Sequence, residues 1–207
     1  MFDPERIDML MRLRGRGISD NAALRAFELI PRKAFLPREH AATAYQPLSL
    51  PIACGQDMSA PYDIAIMTQM LELAPEHKLL EVGTGSGYHA ALLSQICRRV
   101  YTVERYHTLL RSAEAQFEAL GIVNVVSRHG DGRYGWPGQA PFDRILLTCG
   151  VRAMPDSLLK QLAPGGKIVA VCDGQLTVAS KARIRIEERV ILPMSLPMIE
   201  AGKSKVI

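Results

Sequence analysis

No stretch of this chain approaches the ~20 consecutive apolar residues of a membrane span. Its first residues, "MFDPERIDMLMRLRGRG", are acidic at once and hold no apolar run of leader length. The expectation is a cytoplasmic protein with no membrane partner. Cysteine is sparse, and Cys54, Cys97, Cys149 and Cys172 form no C-x-x-C pair, which fits a reduced, cytosolic compartment. The five histidines are scattered and no H-E-x-x-H occurs, so no metal site is expected. Lysine and arginine are scattered along the chain and form no long basic run, so the net charge of +4 says little and no nucleic-acid partner is expected.

What the chain does have is an ordinary globular composition, 48% hydrophobic and 22% charged over 207 residues, enough to bury a full core in one compact unit. From residue 78 onward, strand-like and helix-like segments alternate. "KLLEVG" (78–83), "RVYTVE" (99–104), "VNVVSRHGDG" (123–132), "FDRILLTCG" (142–150) and "KIVAVC" (167–172) read as strands. "YHAALLSQIC" (88–97), "HTLLRSAEAQFEALG" (107–121) and "PDSLLKQLAPGG" (155–166) read as helices. "ARIRIEERVILP" (182–193) alternates like a half-exposed antiparallel strand. This pattern predicts an α/β fold, a mostly parallel sheet with helices on both faces and an antiparallel edge strand. Residues 1–75 lack the alternation and are expected to form a helical N-terminal lobe, with 76–207 as the core. Met9, Leu10 and Leu13 mark one face of a short basic surface helix. "PRKAFLP" and "AYQPLSLP" read as irregular, punctuated by proline.

"LLEVGTGSGYHAA" puts Gly83, Gly85 and Gly87 directly between the first strand and its helix, where glycine allows a tight turn and close approach of a ligand. Tyr88 stands where a dinucleotide fingerprint needs glycine, and no lysine follows to make a phosphate loop. The G-x-G-x-G spacing, with Glu81 upstream, resembles the first motif of class I S-adenosylmethionine-dependent methyltransferases, whose fold is Rossmann-like. Glu104 ends the second strand, where a carboxylate can accept hydrogen bonds from both ribose hydroxyls. Asp131 ends the third, where such enzymes bind the adenine edge. All three features lie at the carboxyl edge of the expected sheet, the ligand edge of open α/β folds. Thr148-Cys149-Gly150 carries no paired prolines, which counts against an exocyclic base amine as acceptor. A carboxylate acceptor is already ionised at neutral pH, with a pKa near ~4, and needs no general base.

Longer blocks resemble the protein-L-isoaspartate O-methyltransferase family. They are "PLSLPIACGQDMSAPYDIAIMTQMLEL", "LLEVGTGSGYHAALL", "VYTVER", "GDG", "APFDRILLT" and "LLKQLAPGGKIV", in order and spacing from about residue 15 to 172. The resemblance implies methylation of the free α-carboxylate of L-isoaspartyl residues in damaged proteins and peptides, initiating repair through a succinimide. It implies S-adenosyl-L-methionine as cofactor and S-adenosyl-L-homocysteine as product; a monomer suits such a fold, but oligomeric state is not readable from the sequence. It places the active-site serine at Ser59, and the cofactor at Gly83, Thr84, Gly85, Ser86 and Gly87 with Glu104, Arg105, Asp131 and Gly132. Asp57, Met58 and Ser59 would close over cofactor and substrate. The residues alone read Ser59 or Ala60 as the N-cap of a helix that starts at Pro61.

The chain departs from the family where Gln56-Asp57-Met58-Ser59 replaces Gln-Thr-Ile-Ser. A carboxylate aimed at a substrate carboxylate ~4 Å away would repel it by up to ~4 kcal/mol at an effective dielectric of ~20. Asp57 could instead cap the helix backbone or face the cofactor's positive charge. Cys149-Gly150 and Val171-Cys172-Asp173-Gly174 are smaller departures at strand ends expected to face the site. Asp57 leaves open methylation of another peptide aspartate, or a non-catalytic cofactor- and peptide-binding homologue. RNA adenine methylation is a third alternative, to which the N-terminal lobe bears no resemblance.

Overall fold

The computed structural model describes residues 3–182 and 185–204. Its N-terminal part holds helices α1 (Pro4–Gly15), α2 (Asn21–Leu29) and α3 (Pro61–Leu71), with two short paired strands, β1 (Leu50–Pro51) and β2 (Asp57–Met58), between α2 and α3. Met9 and Leu13 of α1 are buried while the arginines of its last turn stay outside, as the basic-helix pattern implies. Asp20 caps α2 by accepting from the amides of Ala22 and Ala23. "PRKAF" and the segment after it form short 3-10 turns.

Alternation begins with β3 (Lys78–Val82), α4 (Tyr88–Ser94), β4 (Arg99–Glu104), α5 (His107–Ala119) and β5 (Val125–His129). It continues with β6 (Phe142–Val151), α6 (Asp156–Leu159), β7 (Leu162–Cys172), β8 (Gln175–Lys181) and β9 (Ile186–Pro193). The seven long strands form one sheet in the order β5-β4-β3-β6-β7-β8-β9, parallel through β7 and antiparallel at β8 and β9. Strand order reverses between β3 and β6, which opens a crevice at their carboxyl ends.

Successive side chains of the central strands enter two separate cores, as a period of two requires. Leu79, Leu146 and Val169 join the core lined by the N-terminal helices, α4 and α5. Leu80, Ile145 and Ile168 join the other, which Leu158 of α6, Phe142 and Trp136 close. Helical cover is therefore uneven: three-turn helices on one face, a single helical turn and irregular chain on the other.

Two features depart from the sequence-based expectation. The helix expected over 155–166 ends at Leu159, and β7 begins at Leu162 opposite Phe142. Pro164 steers its predecessor away from helical angles, and burying Leu162 in the second core outweighs local propensity. Strand β8 carried no prediction at all. It pairs with β7 across Asp173-Gly174, whose φ values of 47° and 74° make a two-residue hairpin turn. Asp173 and Gly174 make that turn, Val171 and Cys172 end β7, and none of the four lines the cleft, contrary to the expectation for residues 171–174. The last strand, expected over 182–193, is seen as Ile186–Pro193; Arg183 and Ile184 lie outside the described residues. No helix among the described residues is long and apolar enough to cross a membrane.

Candidate active site

A cleft of about 220 Å³ opens at the switch point. The ends of β3, β4 and β6 form its floor. The segment around Ser49–Asp63 makes one wall, and the chain after β9, Ser195–Glu200, makes another.

The glycine turn after β3 divides its labour. Gly83, at φ 98°, has no room for a side chain: a Cβ would sit 2.3 Å from Thr148 Oγ1. That hydroxyl bonds back to the carbonyls of Val82 and Gly83, at 3.0 and 2.6 Å. Gly87, at φ 89°, is pressed against α5, with Ala113 Cβ 2.8 Å from where a Cβ would be. Gly85 differs: a Cβ there would meet only Ile52 Cδ1 at 3.7 Å, and its backbone faces the cleft. Two glycines thus serve internal packing and the middle one leaves room for a ligand.

Glu104 ties this turn to the next. One carboxylate oxygen accepts from Gly85 N at 2.8 Å and the other from Tyr106 N at 2.9 Å. Each oxygen retains acceptor capacity toward the cleft, which suits a ligand presenting hydroxyl groups. Beneath it, Thr84 and Thr102 share a 2.6 Å hydrogen bond, and Thr102 donates to Glu81 at 2.6 Å. Glu81 is fully buried, and its other oxygen has no partner among the described residues. Burial pushes this carboxyl up to about 8, so it is mostly protonated at neutral pH.

Arg105 and Asp131 hold the C-terminal segment. The Arg105 guanidinium pairs with Glu200 and reaches the carbonyls of Ala201 and Gly202. Asp131 accepts from Arg133 at 2.8 Å and from Gly202 N at 2.8 Å. The Arg133 hydrogen bond leads in holding its carboxyl down to about 2. The segment is further pinned at Gly150, which bonds to Pro197 O and Ile199 N, both at 2.8 Å. A Cβ on Gly150 would lie 2.9 Å from Leu196 O.

The opposite wall carries Ser59. Pro61 opens α3 as its first residue and Ala60 is the N-cap, with no side-chain cap bond. Ser59 therefore lies one residue outside the cap, and its hydroxyl has no hydrogen-bond partner among the described residues. It faces both the main cleft and a smaller recess of about 60 Å³ beneath the loop. Asp57 is exposed, lines both spaces and caps nothing. Asp63 lines the cleft from the first turn of α3, and burial raises its carboxyl against the pull of Arg16 and Arg32.

Among the residues singled out from sequence, Asp57, Ser59, Gly83, Gly85, Glu104, Arg105 and Gly132 line the main cleft. Met58, Thr84 and Ser86 line the recess. Gly87 and Asp131 line neither space. Sequence reasoning missed the C-terminal wall, Tyr106 and His89. The His89 ring sits in the recess 2.9 Å from Thr68 Oγ1, and burial pulls its pKa down to about 3. Gly150, ending β6 beside Cys149, was the one local sign that another chain segment passes close by.

The family model for protein-L-isoaspartate(D-aspartate) O-methyltransferase matches residues 5–191. A protein-L-isoaspartate O-methyltransferase of Maricaulis maris is 52% identical over 171 residues, 83% of this chain and 80% of that protein. A solved structure described as protein-L-isoaspartate O-methyltransferase superposes with a TM-score of 0.85 at 26% identity. It aligns with 95% of this chain, which spans 66% of its length. A Plasmodium falciparum structure containing S-adenosyl-L-homocysteine shares the fold, with a TM-score of 0.79 at 19% identity, covering 93% of this chain and 97% of that one.

Proposed function

This chain belongs to the protein-L-isoaspartate(D-aspartate) O-methyltransferase family, and from that premise we propose which residues carry its reaction. The reaction is methyl esterification of the free α-carboxylate of an L-isoaspartyl residue in a damaged protein or peptide. Bound S-adenosyl-L-methionine supplies a methyl group activated by its sulfonium and is left as S-adenosyl-L-homocysteine.

The residues present fit that cofactor. Gly85 leaves open space beside its backbone, and Glu104 offers carboxylate acceptors at the adjacent strand end. In our reading, the Gly83–Gly87 turn with Thr84 and Ser86 receives the amino-acid end, and Glu104 takes the ribose hydroxyls. Gly132, with Asp131 and Arg105 behind it, bounds the adenine side. Asp57 and Met58 close the near side, and residues 1–75 form the lobe that carries this loop.

Ser59 donates its hydroxyl hydrogen to the substrate carboxylate and fixes its orientation. The carboxylate arrives ionised, so no residue has to remove a proton; the protein's task is alignment and exclusion of water. One observation carries this assignment: Ser59 lines the cleft with its hydroxyl unpartnered among the described residues, while the cap position beside it belongs to Ala60. We further read the protein as a cytoplasmic monomer.

The test is methyl transfer from labelled cofactor to two matched peptides, one containing L-isoaspartate and one L-aspartate. Transfer to the first alone, lowered about 10- to 100-fold in Ser59→Ala with cofactor binding intact, is the expected result. With no side-chain partner among the described residues, Asp57 favours one second reading, in which another peptide carboxylate is the acceptor. Equal transfer to both peptides, or to the aspartyl peptide alone, would favour it.

A further inference from the structure

Beneath the Ser59 loop lies a cation with no exposed surface, Arg32 of "IPRKAF". No carboxylate oxygen among the described residues comes within ion-pair distance of it. Its Nη2 donates to Ser59 O at 3.0 Å and to Leu48 O at 3.3 Å. Its Nε and Nη1 have no partner among the described residues. Burial pulls its pKa down to about 10, so it remains cationic at neutral pH, with Asp63 near enough to favour the charge.

A buried cation with no ion pair, offset only by Asp63 nearby and by the Tyr88 ring 5.8 Å from its Cζ, is a poor way to fill space; an apolar side chain of similar volume would do it at lower cost. What Arg32 adds is direction. Leu48 and Ser59 bracket the loop containing β1 and β2, and each of those strands is only two residues long. One guanidinium nitrogen holds both ends of that loop, and the end at Ser59 is a carbonyl on the serine itself.

We infer that Arg32 is a positioning residue for Ser59: its hydrogen bonds to the Leu48 and Ser59 carbonyls set the direction in which the serine hydroxyl points. This rests on the assignment of Ser59 made above. The Ser59 carbonyl fixes the peptide plane after the serine, and with it the backbone from which Oγ projects. A displacement of ~1 Å at a reacting group costs on the order of 10²-fold in rate.

The experiment compares Arg32→Met and Arg32→Lys, each alone and combined with Ser59→Ala. For each variant, kcat and KM for an isoaspartyl peptide are measured, with S-adenosyl-L-homocysteine affinity and melting temperature. Hydrogen exchange is followed in the cofactor-free protein. Arg32→Met should lower kcat by about 10- to 100-fold, with homocysteine-cofactor affinity within about threefold of wild type. Arg32→Lys, which retains a donor, should recover part of the loss. In the Ser59→Ala background the same Arg32 change should cost less than about threefold, because the group it positions is gone. Amides of residues 49–60 should exchange faster in Arg32→Met, while those of β3, β4 and β6 are unchanged.

Equal losses in both backgrounds, or faster exchange spread evenly over the chain, would overturn the inference. Should Arg32→Met not fold, Arg32→Lys is read against the same outcomes. If Ser59→Ala alone leaves kcat unchanged, the assignment of Ser59 fails, and the exchange experiment still decides whether Arg32 holds the loop.

Discussion

The two walls of the cleft are built in opposite ways. On the glycine-turn side nearly every polar group is already spent inside the protein. Glu104 accepts from Gly85 and Tyr106, Thr148 bonds the carbonyls around Gly83, and Thr84, Thr102 and Glu81 form a buried chain. That wall inherits its rigidity from a parallel ladder. On the Ser59 side a loop hangs from two two-residue strands and one buried arginine, and the hydroxyl of Ser59 and carboxylate of Asp57 have no partner among the described residues. The wall assigned to the cofactor is held by regular structure. The wall assigned to the acceptor keeps its functional groups free and depends on a few individual bonds.

The comparison breaks most severely at Gly83. Gly83→Ala must place a methyl 2.3 Å from Thr148 Oγ1 at φ 98°. Overpacking of this kind costs ~1–3 kcal/mol, and the left-handed backbone adds ~1–2. Thermal unfolding should show a melting temperature lower by about 2–4 °C per kcal/mol in a chain of this length, and calorimetric titration with S-adenosyl-L-homocysteine should show weaker binding. Gly85→Ala is the comparison: at φ 54° it shares the backbone cost but not the clash, since nothing lies closer than 3.7 Å, so its melting temperature should fall less than that of Gly83→Ala while affinity falls. Equal thermal losses at the two positions would refute the division of labour within the turn.

Glu81 sharpens the same wall through pH. Its carboxyl is raised from 4.5 to about 8 by burial, so the folded state keeps a proton that the unfolded chain releases. Stability is then fully present below about pH 4.5 and is lost progressively as pH rises toward 8. At pH 7 the penalty is about 3 kcal/mol, an upper figure for a fully buried group. Glu81→Gln should flatten the profile between these limits in urea denaturation, and an unchanged slope would remove Glu81 as its source.

At Ser59 the comparison predicts the reverse signature. Ser59→Ala removes no hydrogen bond within the described residues, so the melting temperature should not move. The loss of one hydrogen bond to a charged acceptor, ~1.5–3 kcal/mol, should lower kcat/KM by about 10- to 100-fold. A destabilised Ser59→Ala protein would mean that the hydroxyl serves the fold.

How far each wall was legible follows from how it is built. The glycine spacing and the acid ending β4 are local patterns, so the turn and Glu104 could be read directly. The Ser59 loop has no pattern of its own; serine before proline reads as a helix cap, and only the family resemblance pointed to the cleft. The chain after β9 was illegible as a wall because backbone bonds at Gly150 place it there together with Asp131 and Arg105, two side chains the sequence had pointed at a ligand instead. Strand β8 was missed although Asp173-Gly174 between apolar runs is a hairpin signal. The helix expected after β6 is present but stops at Leu159, short of its Pro-Gly stop, because burial of Leu162 draws the chain into β7.

The smallest expected effect tests the chain's own departure on the Ser59 wall. Asp57 is exposed at the mouth of both spaces, so water and salt screen its repulsion of an incoming carboxylate well below the close-contact ceiling. Asp57→Thr should lower KM for an isoaspartyl peptide about three- to tenfold at low ionic strength, with kcat nearly unchanged. The advantage should shrink as salt rises toward 0.5 M, about where the screening length falls below ~5 Å. A salt-independent gain would mean that Asp57 acts by contact inside the cleft. A loss of cofactor affinity in Asp57→Thr would mean that its charge serves the sulfonium side, and that the near wall shares in holding the cofactor.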